Sequence, residues 1–456
     1  MHVDVALLQK YSKPGPRYTS YPTAPYFTEE YGEPDWRAEL ARSQESGRGI
    51  SLYAHIPFCD TLCYYCGCNM VATGHYEKAS QYLELLLREI DSSSRLTSPS
   101  RQVEQLHWGG GTPTYLHPSD MRRLAAHMRS LFDFSSTAEV GCEVDPRELS
   151  EEHVQALLDG GFNRVSLGVQ DLDAAVQKAV NRVQSEELIR RVYGWMRDAG
   201  FASINMDLMV GLPHQTVDSF SHTLDAVLDM APDRLAVFSY AHVPWMKKHQ
   251  KLIVEADLPD LAHRLQLQQL IFERLTAAGY EYVGMDHFAR PDDEMVEARK
   301  NGTLYRNFQG YTTHRDCDIM AYGASAISQT ESAYMQNLKK IPAYEAAVGE
   351  GRLPVERGLA VQPDDRMRRD LIARIMCDLV VDAEQFGQIW QLDFYRTFAA
   401  AIEQFPEFVR DGLLQWDGRV LQVTMLGRIF LRNIAMLFDA YLAQEQADKP
   451  RYSKTL

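Results

Sequence analysis

The chain has 456 residues, 45% of them hydrophobic and 24% charged, with a formal net charge of −15. This is a globular composition with room for two domains or a third, and its acidic balance excludes nucleic-acid binding as the main task, since phosphate contacts draw on clustered Lys and Arg. No run of about 18 apolar residues occurs, and the opening MHVDVALLQKYSKPGPRYTSYP pairs no basic segment with an apolar one. Neither membrane insertion nor secretion is therefore expected, and the cytoplasm is the expected compartment.

In chain order, residues 1–49 carry a Gly/Pro/Tyr-rich stretch at 13–27 that has no helical or strand period and reads as an ordered arm or loop. From about residue 50 to 290, short apolar runs alternate with longer segments of helical period. Strands are expected at 50–56, 103–108, 138–144, 164–169, 203–210, 234–240 and 280–285. Between the first two, Ala79, Tyr82, Leu83, Leu86, Leu87 and Ile90 recur at helical spacing with Glu84, Arg88 and Glu89 opposite, which makes a βα unit. Further helices are expected at 118–132, 151–158, 185–199, 216–230 and 258–278. This alternation predicts an α/β fold, a partial (β/α) barrel of six or seven parallel strands spanning 50–345, with a doubly wound open sheet as the competing arrangement. Residues 346–456 read as a mostly helical, winged-helix-like domain, with helical segments near 366–379 and 424–441 around a hairpin at 413–423 turning on Asp417-Gly418.

Four of the seven cysteines, Cys59, Cys63, Cys66 and Cys68, fall within ten residues just past the first expected strand, while Cys142, Cys317 and Cys377 are scattered. In a large chain without a secretion signal such a cluster indicates metal rather than disulfides, and the scattered three are expected to be small buried hydrophobes. Thiolates spaced C-x3-C-x2-C can hold three irons of a [4Fe–4S] cubane and leave the fourth iron open to a substrate. A structural zinc closed by Cys68 or His55 is the alternative, although no second Cys/His pair with knuckle spacing is present. Just past the second strand stands Gly109-Gly110-Gly111-Thr112-Pro113, where consecutive glycines let backbone approach a ligand closely. Ligands at strand C-terminal ends sit on the face where βα barrels build their active sites.

The cysteine spacing, the aromatic Tyr65 before the last ligand and the glycine run one βα unit later resemble the radical S-adenosylmethionine (SAM) superfamily. That resemblance implies a cluster on Cys59, Cys63 and Cys66 whose open iron chelates SAM, reductive cleavage of SAM, and hydrogen abstraction from a substrate by the adenosyl radical.

Within the superfamily the chain is most similar to the oxygen-independent coproporphyrinogen III oxidases. The likeness runs through GPRYTSYPTA (15–24), LHWGGGTPTYL (106–116), EVDPRE (143–148), GVQD (168–171), Asn181-Arg182, NMDLMVGLP (205–213), YAH (240–242), GMDHFARPDDE (284–294) and RNFQGYTT (306–313). It implies oxidative decarboxylation of two propionates of coproporphyrinogen III to vinyl groups in haem synthesis. It implies two SAM molecules: one on Tyr53, Gly110, Glu143 and Ile327, the other on Tyr65, Gly111, Thr112, Gln170, Arg182, Asp207 and Ala241. Tyr53 and Glu143 are the positions expected to act in the reaction itself. Arg17, His287, Arg290 and Arg306, from matching segments, are expected partners for the substrate carboxylates, with Cys68 on the substrate side. A small electron-transfer protein is the expected reductant and a monomer the expected state. Two other readings compete: a haem-carrying relative, which would lack Cys68 and the arm and carry an HNxxYW motif not found here, and a methyl-transferring or cyclopropane-forming relative.

Overall fold

The structure, a computed structural model, describes residues 5–442 together with residues 452, 453 and 455. Six strands in chain order lie parallel, neighbour to neighbour: β1 Gly49–Ile56, β2 Val103–Gly110, β3 Phe134–Val144, β4 Arg164–Gln170, β5 Ser203–Val210 and β6 Arg234–Ser239. A hairpin of β7 Glu281–Gly284 and β8 His287–Ala289 follows, with β8 antiparallel to β6. The chain then returns to the far edge, where β9 Cys317–Tyr322 pairs parallel with β1. Three antiparallel strands, Ile327–Gln329, Ala333–Asn337 and Val355–Ala360, extend that edge. The ladder is open: among the described residues nothing pairs its two end strands, so the sheet is a partial barrel.

The expected seventh parallel strand at 280–285 is thus corrected. Met285 takes a left-handed φ of 45° and the chain reverses there, so this segment is one arm of an antiparallel hairpin. The seventh parallel strand is β9, whose signature was hidden by Asp318. That residue is 1% exposed yet ionically held by Arg48 Nε at 2.9 Å and Arg101 Nη2 at 2.6 Å.

The helices form where the sequence gives both an apolar stripe and a cap. Ser150, Ser185 and Thr216 each accept a backbone N–H from the first turn of the following helix, Glu151–Asp159, Glu186–Asp198 and Val217–Met230 respectively. On β1, Ile50, Leu52, Ala54 and Ile56 are buried in the core cluster the strands share with these helices, and the alternation turns Ser51, Tyr53 and His55 to the lumen. The lumen is polar. Ser51 Oγ donates to Gln105 Oε1 at 2.8 Å, Gln105 Nε2 donates to Glu139 Oε1 at 2.8 Å, and Arg164 pairs with Glu139 at 3.1 Å.

A second core gathers the Pro363–Cys377 helix, a three-stranded antiparallel sheet (Val380–Asp382, Val420–Val423, Leu414–Trp416) and the phenylalanines Phe386, Phe394, Phe398, Phe405, Phe408, Phe430 and Phe438. The expected hairpin is present, with Gly418 at φ 99°, whereas the helix expected over 424–441 is confined to Leu431–Met436 between turns. The N-terminal stretch is anchored to this second core. Tyr18 Oη donates to Asp439 at 3.0 Å, Ala440 N donates to Tyr21 Oη at 3.0 Å, and Arg432 donates to the carbonyls of Gly15 and Pro16. Among the described residues no helix is long and apolar enough to cross a membrane.

Candidate active site

β1 ends at Ile56 and runs into the cysteine loop, and β2 ends in the glycine run beside it. The two loops are stitched together: Gly111 N donates to Ile56 O and Thr112 N to Phe58 O, both at 2.8 Å. A Cβ on Gly111 would lie 2.7 Å from Phe58 O, and one on Gly110, already at φ 119°, would lie 2.6 Å from the His55 ring. Glycine is required at both positions by this close approach.

Cys59 and Cys63 are buried and Cys66 is half-buried. Two guanidinium groups converge on one sulfur: Arg147 Nη2 and Arg182 Nη1 each stand 3.6 Å from Cys63 Sγ, and both also bond Asp145 Oδ2, at 2.7 and 2.9 Å. Thr112 Oγ1 lies 3.3 Å from Cys59 Sγ. Hydrogen bonding from the Cys68 side chain pulls the Cys66 thiol down to about 6 against burial, with the Cys68 N–H, His249 and Lys247 adding to the effect. Cationic and donor partners around thiols suit sulfurs that must be thiolates to bind metal. Among the described residues no three His, Cys, Asp or Glu side chains converge as a single ion requires, so the zinc alternative has no formed site. A cubane would take one thiolate on each of three irons and needs no such convergence.

The cysteines open into a cavity of about 250 Å³ whose walls include Tyr65, Gly110, Gly111, Thr112, Glu143, Asp145, Gly168, Gln170, Arg182 and Asp207. Its two carboxylates differ. Enclosure works to raise the Glu143 carboxyl, but the His107 imidazole 3.5 Å away and the Gly110 N–H at 3.2 Å outweigh it and hold the group below the usual carboxylate range. Asp207 is pushed up to about 6 by burial, the Glu143 charge adding to the shift and the donors Ser166 and Asn205 opposing it. Arg182 is held by Gly168 O at 2.7 Å and keeps a buried Nε with no hydrogen-bond partner, a donor left for a ligand.

A second cavity, of about 770 Å³, adjoins the first across the ends of β5 and β6: Met209 and Phe238 face the cysteine side, Val210, Val237 and Ser239 the other. Its walls include the Leu261–Ala277 helix, the β7–β8 hairpin, residues 428–432 and the N-terminal Pro14 and Arg17. Four arginines line it, Arg17, Arg264, Arg428 and Arg432, against two carboxylates, Glu255 and Asp286. Arg17 pairs with Asp286 at 3.3 Å. Arg428 lies over the Tyr282 ring at 5.9 Å and keeps a buried, unpartnered Nε. Burial lowers Arg432 to about 9, the Arg17 charge adding to the shift. Arg264 is lowered by burial alone, and no side-chain hydrogen bond or ion pair holds its guanidinium among the described residues.

The Radical SAM superfamily model matches residues 53–227 and the HemN C-terminal domain model residues 361–430. The chain is 46% identical over 442 residues to the oxygen-independent coproporphyrinogen III oxidase of Escherichia coli (strain K12), covering 97% of this chain and 96% of that one. It is 44% identical over 455 residues to the Pseudomonas aeruginosa protein of the same name, covering 99% and 98%. The solved structure of coproporphyrinogen III oxidase (HemN) from Escherichia coli, a radical SAM enzyme, superposes with a TM-score of 0.92 at 45% identity over 97% of this chain and 99% of that one. The chain belongs to the oxygen-independent coproporphyrinogen III oxidase family. It is a radical SAM oxidoreductase, and the haem-carrying and methyl-transferring readings draw no support from these relatives.

On this oxidase scaffold, Tyr65, Gly110, Gly111, Thr112, Glu143, Gln170, Arg182 and Asp207 meet at one cavity with the cysteines. Tyr53 sits just beneath, its hydroxyl 3.1 Å from His55 Nδ1 and its ring stacked on His107 at 6.1 Å. Ala241 lines the arginine cavity instead, and Ile327 packs against the cluster of Phe27 and Tyr334 and is in the lining of neither cavity. Of the residues expected at the substrate, Arg17 reaches the arginine cavity and Cys68 the cysteine cavity. Arg306 and His287 lie behind the wall, Arg306 over the Tyr311 ring at 4.9 Å and His287 against Tyr311 at 5.3 Å. Arg290 is not brought to either cavity, since it bonds the carbonyls of Ala231 and Pro232 below the N-terminal end of β6. Sequence reasoning missed Asp145, Arg147, Arg264, Arg428 and Arg432.

Proposed function

We propose that this enzyme oxidatively decarboxylates two propionate side chains of coproporphyrinogen III to vinyl groups, giving protoporphyrinogen IX in oxygen-independent haem synthesis. The observation that carries the substrate is the cavity with four arginines beside the cysteine site. A porphyrinogen brings four carboxylates and an apolar macrocycle, and a carboxylate buried without a partner costs several kcal/mol. An acidic chain that collects four guanidinium groups, one buried and three half-buried, in one largely apolar space is suited to such a ligand.

When bound, a [4Fe–4S] cluster on Cys59, Cys63 and Cys66 supplies the electron that cleaves SAM. The remaining work belongs to the chain. Arg182 offers its free Nε to a carboxylate, Glu143 and Asp207 accept from ammonium or hydroxyl groups, and Gly110 and Gly111 bring backbone against the ligand. Two SAM molecules are proposed, one around Tyr53, Gly110, Glu143 and Ile327 and one around Tyr65, Gly111, Thr112, Gln170, Arg182, Asp207 and Ala241, with Tyr53 and Glu143 nearest the chemistry. The further proposals are a small electron-transfer protein as reductant, a monomer, cytoplasmic residence, and a division into an arm (1–49), a barrel domain (50–345) and a C-terminal domain (346–456).

The test is anaerobic incubation of the reconstituted protein with SAM, a reductant, an electron acceptor and coproporphyrinogen III. Protoporphyrin appearing together with 5′-deoxyadenosine supports the proposal; deoxyadenosine with unchanged porphyrin would overturn the substrate and leave the superfamily.

A pH dependence follows from Asp207. As an ionised acceptor it aids a ligand that donates to it, and with its pKa raised to about 6 it is neutral below that value. SAM affinity measured calorimetrically is expected to fall as pH drops from 7.5 to 5.5. Asp207→Asn is expected to be weak and flat over the same range, and an equally steep profile in that variant would place the titration elsewhere.

A further inference from the structure

After β6 the chain runs across the cysteine loop and grips it by backbone. His249 Nε2 lies 2.7 Å from Cys66 O, Lys247 Nζ donates to Cys68 O at 2.9 Å, and Gln250 Nε2 donates to Tyr65 O at 3.0 Å. On the other flank Asn69 Nδ2 donates to Lys339 O at 3.1 Å.

The outer side of this crossing is unlike the rest of the surface. Trp245, Met246, Leu252 and Val254 are each between 57% and 59% exposed, four of the twelve exposed large apolar side chains among the described residues, within ten positions. Interleaved with them are Lys247, Lys248 and Lys251, while Lys339, which pairs with Glu356 at 3.6 Å, and Lys340 stand on the opposite flank. These five are drawn from the twelve lysines of the whole chain. Lys248 and Lys251 are exposed, and neither pairs with a carboxylate among the described residues. In a chain of net charge −15, a basic and apolar patch directly over the cysteine loop is a local inversion of the surface. Clustered exposed apolar side chains ringed by one sign of charge mark a protein-binding face, and the charge steers a partner of opposite sign.

We propose that residues 245–254 with Lys339 and Lys340 form the docking face for a small acidic one-electron carrier protein that reduces the cluster. This rests on the reading of Cys59, Cys63 and Cys66 as a reductively activated cluster site. In the docked complex the carrier gives up one electron and the cluster takes up one, with His249 and Lys247 joining the face to the carbonyls of Cys66 and Cys68. The patch suits a carrier better than a nucleic acid, because four exposed large apolar side chains stand among its lysines. Trp245 also edges the arginine cavity and Lys247 and His249 hold the loop, so the test leaves all three intact.

The experiment compares the reconstituted holoenzyme with Lys248→Glu/Lys251→Glu and, separately, Leu252→Asp, using flavodoxin as the acidic carrier. The dissociation constant is measured by calorimetry at two salt concentrations, and cluster absorbance is followed after mixing with reduced flavodoxin. The charge reversal is expected to weaken binding at least tenfold and remove its salt dependence, and both variants are expected to slow cluster reduction, with iron content unchanged. Wild-type affinity retained in both variants, or no binding by wild type, would overturn the docking face. Self-association of wild type that vanishes in the variants would assign the patch to a second copy and overturn it too. Dithionite separates the two readings: deoxyadenosine formed equally by wild type and variants leaves the function standing. None formed by wild type removes the function, while the binding comparison still decides the surface.

Discussion

Cys63→Ser protein, carried through the same reconstitution as wild type, is expected to hold iron near background, to lose the broad visible absorbance of the cluster, and to form no detectable 5′-deoxyadenosine. The hydroxyl is a poor substitute for a thiolate on iron, and Cys63 is the sulfur on which both Arg147 and Arg182 converge at 3.6 Å. Cys142→Ala is the control. Cys142 is equally buried, but it lies on β3 among apolar neighbours, so its loss is expected to cost about 1 kcal/mol of stability and no iron. Cys68→Ser is expected to retain iron as well, since Cys68 is exposed and lies outside the three-ligand set. Equal iron loss in Cys63→Ser and Cys68→Ser would revive a four-sulfur site. Full iron retention in Cys63→Ser would remove the cluster assignment.

The cysteine site was legible because its chemistry is local. C-x3-C-x2-C and the glycine run each occupy a few consecutive residues at the ends of adjacent parallel strands, and the strand-helix alternation was enough to bring them together. Glu143 and Asp207 were legible for the same reason, lying on β3 and β5 with side chains turned to the lumen. β9 was not, because a charged residue near the start of a strand reads as surface until its two arginine partners, more than 200 residues away in sequence, are seen. Asp145 and Arg147 lay inside a matched segment, but nothing in EVDPRE indicates that the arginine turns back onto a sulfur. The arginine cavity was the largest omission. Its walls come from at least seven separate stretches of chain, and choosing arginines by family segment selected Arg290, which is spent on backbone carbonyls at the other end of β6. A usable signal did exist: Arg428 and Arg432 stand in GRIFLRN, two charges inside an otherwise apolar stretch that must be buried.

Arg264→Met is expected to separate binding from folding. The guanidinium of Arg264 is desolvated in the cavity wall with no ion-pair partner among the described residues, so in the free enzyme it opposes folding rather than supporting it. Methionine fills a similar length without the charge, and the melting temperature of the variant is expected to be unchanged or slightly higher. The cost falls on the substrate. A charge-assisted hydrogen bond to a carboxylate contributes about 1.5–3 kcal/mol, which corresponds to a loss of roughly ten- to hundredfold in kcat/KM for coproporphyrinogen III. Because Arg264 lies across the β5 and β6 ends from the cysteine cavity, reductive cleavage of SAM in the absence of porphyrinogen is expected to proceed at the wild-type rate. Arg264→Lys, which keeps a charge but not the planar fork, is expected to recover part of the loss. A matching fall in substrate-free SAM cleavage would mean that Arg264 acts on the cysteine site. An unchanged kcat/KM would mean that the carboxylates of the substrate lie elsewhere, and the four arginines would then need another anion.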